Sequence, residues 1–108
     1  MKFDINGMMR QVQKMQKEME KVQEELGNKV VTEESGGGMV KVTVTGKQNI
    51  VKIEIDPEVI NKDDKEMLED LIIAAVNKGI EASKKMAEEE MNKITKGMLP
   101  PGMGFPGF

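Results

Sequence analysis

Met39-Val40-Lys41-Val42-Thr43-Val44-Thr45 alternates apolar with polar side chains, and Gly46-Lys47-Gln48-Asn49 separates it from a second alternating run, Ile50-Val51-Lys52-Ile53-Glu54-Ile55. Successive side chains of a strand point to opposite faces. The first run therefore sets Val40, Val42 and Val44 against Lys41, Thr43 and Thr45. The second sets Val51, Ile53 and Ile55 against Lys52 and Glu54. Upstream, Lys29 to Glu33 also has strand character, and Ser35-Gly36-Gly37-Gly38 supplies a flexible turn, read as a mobile hairpin tip. These segments predict a three-stranded antiparallel meander with one apolar face.

Working outward to the N-terminal side, the period changes. Ile5, Met8, Val12, Met15, Met19, Val22 and Leu26 follow steps of three and four, the a/d seam of a helix that packs lengthwise on another helix. Asp4 or Asn6 is a candidate cap, and Gly27-Asn28 a candidate stop. The same register carries Arg10, Lys14, Lys17 and Lys21 on the back of the seam. One rod thus holds an apolar stripe and a basic stripe. Met at three seam positions, Met8, Met15 and Met19, makes the contact adaptable.

On the C-terminal side, Asp56-Pro57 ends the third strand, and a short helical turn is expected around Glu58 to Asn61. Asp63 or Asp64 then caps a long helix running to about Lys96. Its first half has a broad apolar arc (Met67, Leu68, Leu71, Ile72, Ile73, Ala75, Val76) expected to cover the sheet. Its second half narrows to Val76, Ile80, Ser83, Ala87, Met91, Ile94 and Met98, the stripe of a helix packing on one other helix. Ala75, Gly79 and Ala82 form a line of small residues that permits close approach. The fold class is α+β: long N-terminal helix, three-stranded antiparallel meander, long C-terminal helix (αβββα). The first helix spans about 33 Å, and a typical strand about 20 Å, so the helices overhang the sheet. Overhang and open sheet edges together predict a homodimer with projecting helical arms. Residues 1–96 are read as a single domain and 97–108 as a flexible Gly/Pro/Met-rich tail.

Composition removes whole classes of function. The 108 residues contain no cysteine and no histidine, which takes away thiolate metal sites and the commonest general base. The only serines, Ser35 and Ser83, have no histidine to activate them. Gly36-Gly37-Gly38 precedes a strand and lacks a following Gly-Lys-Ser/Thr, so it is no phosphate loop. Asp63, Asp64 and Glu66 are explained by helix capping. The expectation is a non-enzyme without cofactor or metal. No run is long enough to span a membrane, and the chain reads as cytoplasmic.

The charge pattern is more informative. Net charge is −3, from 16 basic and 19 acidic residues, so any polyanion site is a local patch. Arg10 with Lys14, and Lys17 with Lys21, are like-charge i,i+4 pairs that each cost a few tenths of a kcal/mol. From Arg10 to Lys21 is about 16 Å of helix, enough to meet more than one phosphate. A solvated face and a nucleic-acid contact both fit this pattern. Lys84, Lys85 and Lys93 on the late helix are weaker candidates, because Glu88-Glu89-Glu90 interleaves with them. Gln11, Gln13 and Gln16 could meet base edges if the helix entered a groove.

Four stretches resemble the YbaB/EbfC family of bacterial nucleoid-associated proteins: Met8-Met9-Arg10-Gln11-Val12-Gln13-Lys14-Met15-Gln16, Gly37 to Gly46, Ile53-Glu54-Ile55-Asp56-Pro57-Glu58, and Asp64 to Ile72. The late Gly/Met/Pro tail fits as well. The resemblance implies a tweezer-like homodimer that binds duplex DNA through helical arms, alters its conformation, and influences nucleoid organisation and gene expression. Its partners would be double-stranded DNA and a second copy, with another protein of DNA metabolism as a further candidate, and its place the nucleoid. The alternative reading is a protein-interaction module acting through the arms and the Met-rich seam.

Overall fold

The computed structural model describes residues 4–98, in the order α1 (Ile5–Asn28), β1 (Val30–Ser35), β2 (Val40–Thr45), β3 (Ile50–Ile55) and α2 (Lys65–Met98), with short 3-10 turns at Gly36–Gly38, Pro57–Val59 and Lys62–Asp64. The expected αβββα order is observed, and the tail from residue 99 onward lies outside the described residues. Asp4 caps α1, its Oδ1 accepting from Gly7 N at 2.9 Å. Asp64 caps α2 in the same way, accepting from Met67 N at 3.3 Å. Each cap satisfies a first-turn N–H that has no partner inside the helix.

The sheet is antiparallel in the order β1-β2-β3. Val40 pairs with Ile55 and Val42 with Ile53, but Val44 pairs with Ile50, because an irregularity falls between Thr43 and Val44. The simple alternation through Val51 is therefore corrected. An extra residue on β3 shifts its register, and Ile50 takes the place opposite Val44.

The core lies between β2 and α2. Val40, Val42, Val44 and Ala75 are fully buried, with Val31, Leu68, Leu71, Ile72 and Val76 packed around them. Close approach comes from Ala75, Gly79 and Ser83, spaced by four on one face of α2 and all buried. A Cβ at Gly79 would stand 2.7 Å from Val44 Cγ2. Ser83, not the half-buried Ala82, completes this row, and its hydroxyl donates to Thr45 O at 2.6 Å.

The apolar arc of α2 is narrower than its sequence implies. Met67 and Ile73 are 39% and 57% exposed. The helix packs on β1 and β2 and leaves β3 without a helical cover. Ile50, Val51 and Ile53 consequently stay 42%, 58% and 44% exposed.

The glycine turn is also not a loose tip. All three glycines have positive φ (61°, 67° and 94°), conformations that β-carbons disfavour. A Cβ at Gly36 would come within 2.7 Å of Leu71 Cδ2, and Ser35 Oγ donates to Leu71 O at 2.6 Å. The turn is fastened to α2, a tertiary contact that local composition does not encode.

The two helices run antiparallel. Leu26, 1% exposed, seats against Gly46 beside the Thr45–Ser83 bond, and Ile94 further along α2 is buried. Lys29, just past the end of α1, meets Glu90. From Glu90 to Met98, α2 advances about 12 Å, which brings its end level with about Lys21 of α1. About 24 Å of α1, from Ile5 to Glu20, therefore projects beyond α2. The result is a rod 75 Å long and only 24 Å by 16 Å in section.

Candidate nucleic-acid interface

Arg10, Lys14, Lys17 and Lys21 are all exposed on α1, three of them on the stretch that outruns α2. Among the described residues, none of the four is held in an ion pair. The helix that carries them has good reasons to form on its own. Its polar positions are mostly Gln, Lys and Glu, strong helix formers, and Asp4 closes its first turn. Their charge is thus displayed on a stiff rod with water on its cationic side.

The other candidates are placed differently. Lys84 and Lys85 are exposed on α2 near the level of the sheet. Lys93 is 72% exposed but shares Glu90, its Nζ 3.2 Å from Oε1. Lys29 Nζ lies 3.1 Å from the same oxygen. The Lys29 hydrogen bond, then that of Lys93, holds the Glu90 carboxyl below its ordinary range. Sequence spacing reveals the Glu90–Lys93 pair at i,i+3. It is silent on Lys29, which joins only when the two helices are laid side by side. The α1 row and the α2 lysines do not merge into one cluster. They occupy successive levels along the rod.

Lys52 and Lys47 decorate the sheet and its turn. Lys52 Nζ is 3.3 Å from Glu54 Oε1, and the Lys47 side chain lies beside Gly27, with Cδ and Cε where a Cβ there would be 3.6 Å away. Among the described residues no group of acidic side chains is arranged to hold a metal ion, and no helix is long and apolar enough to cross a membrane.

A small α+β body that sends out a long helix bearing a local basic row on one face is a layout suited to meeting a polyanion. The chain belongs to the YbaB/EbfC DNA-binding family, whose model matches residues 1–98, and that family is non-enzymatic. A nucleoid-associated protein of Thermoanaerobacter pseudethanolicus is 50% identical over 101 residues, covering 94% of this chain and 91% of the relative. One of Desulforamulus reducens is 52% identical over 100 residues, covering 93% and 95%. The crystal structure of an uncharacterized protein from Helicobacter pylori superposes with a TM-score of 0.71 at 28% identity, covering 92% of this chain and 100% of that one.

Proposed function

We propose that the protein binds duplex DNA as a homodimer and alters its conformation, with a role in nucleoid organisation and gene regulation. Arg10, Lys14, Lys17 and Lys21 grip phosphates, and Lys84, Lys85 and Lys93 add weaker contacts. The observation that carries this reading is the exposed cationic row along α1, in no ion pair among the described residues, in a member of a DNA-binding family. Phosphate contacts of this kind fix register and affinity without reading sequence.

The homodimer is supported by β3. It is an edge strand whose Ile50, Val51 and Ile53 remain exposed. Joining two copies there would bury those side chains and satisfy the open edge. It would also carry two separated arms on one body, and the contacts of both arms with one duplex would repay the cost of bending it.

The test is a fluorescence-anisotropy titration of a random duplex across salt concentrations. Charge reversal at Lys14 and Lys17 is expected to weaken binding and to flatten the salt slope by about one unit per lost contact. Unchanged binding removes this face from the proposal. The second reading, a protein-interaction module, is favoured by one observation: Ile5, Met8, Met9 and Val12 are exposed at the tip of α1. Absence of salt-dependent DNA binding at low salt would select it.

A further inference from the structure

The heptad seam is covered along only part of its length. Leu26 is 1% exposed, Val22 and Met15 are half-buried and Met19 reaches 36%, whereas Val12 and Met8 are 54% and Ile5 64% exposed. Met9 adds a flank at 56%. These side chains fall on one side of α1, since residues three and four apart are neighbours. A contiguous apolar strip of this kind on a soluble surface calls for a cover.

Position and chemistry identify the cover. Helix α2 ends at Met98 near the level of about Lys21 of α1, on the side from which the bare stretch of the seam is reached. Ten residues follow: Leu99-Pro100-Pro101-Gly102-Met103-Gly104-Phe105-Pro106-Gly107-Phe108. Extended, they reach up to about 33 Å. The bare strip from Val12 back to Ile5 is about 10 Å long, and Ile5 lies about 24 Å beyond the level of Lys21. The segment has no ionisable side chain and carries Leu99, Met103, Phe105 and Phe108, including two of the three phenylalanines in the chain. Its prolines exclude a competing helix and lower the entropy lost on docking. The strip it would meet presents Met8 and Met9, whose thioethers pack favourably on aromatic rings.

A second α1 is the poorer occupant. The positions flanking the seam on one side are Met9, Gln16 and Gln23, all neutral, so no flanking charge pairs select a helical partner. We propose that residues 99–108 fold back along α1 and cover Ile5, Met8, Met9 and Val12, leaving Arg10, Lys14 and Lys17 on the opposite side free.

Oxidation of Met8 and Met9 by dilute hydrogen peroxide, followed by peptide mass spectrometry, tests this. The full chain is compared with a chain ending at Met98 and with full-length F105S/F108S. Met39, 38% exposed at the far end of the sheet, is the internal control. Both variants should oxidise at Met8 and Met9 about threefold faster or more, with Met39 unchanged and no dependence on protein concentration. Equal rates in all three proteins overturn the proposal. So does protection that survives truncation and grows with concentration, which would assign the strip to a second copy. Far-UV circular dichroism confirms that the variants retain their helices.

Discussion

Lys29, the residue that closes α1, reaches across to Glu90 on α2, Nζ to Oε1 at 3.1 Å. The contact sits where the helix pair leaves the sheet, so it ties the base of the arm to the body. Glu90 is 18% exposed and also receives Lys93. One carboxylate therefore holds two lysines near the sheet, while among the described residues the α1 cations farther out are in no ion pair.

Acid should loosen this tie. The folded-state pKa of Glu90 is depressed. Its contribution is therefore complete above the ordinary glutamate range and is lost as pH falls through the lowered folded value. Glu90→Gln should flatten the acid limb of a urea-stability profile without altering its shape near neutrality. An acid limb identical to that of the parent protein would show that the triad adds nothing to folding.

Gly79→Ala should destabilise the fold despite alanine's better helix propensity. The new Cβ would stand 2.7 Å from a methyl of fully buried Val44. Overpacking costs about 1–3 kcal/mol, against a propensity gain of up to about 1 kcal/mol. A net loss of about 1 kcal/mol in chemical denaturation is expected; a gain would mean the sheet moves aside freely.

Among single neutralisations, Lys14→Gln should weaken duplex binding more than Lys93→Gln. Lys14 is exposed and free of ion pairs among the described residues, whereas Lys93 already shares Glu90. Each free phosphate contact removed should lower the salt slope by about 0.9. Titrations at several salt concentrations read both quantities.

Ile53→Asp on β3 should separate the proposed dimer. Ile53 is 44% exposed in the single chain, so the monomer loses little packing. The same change would leave a desolvated, unpaired carboxylate in a joined sheet. Sedimentation analysis should show a shift toward half the parent mass with helical content retained.

The αβββα order, the caps and the division of α1 into apolar and basic faces were legible in the sequence. Each is a local or periodic property: alternation at two, a seam at three and four, and two capping candidates before each helix, of which the structure uses Asp4 and Asp64. The β3 register was not, because one extra residue breaks the period without marking the sequence. Nor was the exposure of Ile73 or Met67, since an apolar arc does not say how many strands it will cover. The glycine turn looked loose because Leu71, which it rests on, lies far along the chain. At the candidate site, residue type and face were readable, while pairing was not. Nothing local shows that Glu90 engages Lys29.

By itself, then, the sequence determined which side chains share a face, because a residue's direction depends only on its place in a repeating backbone. Only the tertiary structure decided which of those faces are met. That depends on where α2 crosses the sheet and where it stops beside α1. These positions are set by close packing at Ala75, Gly79 and Ser83 against β2, between residues distant in the chain.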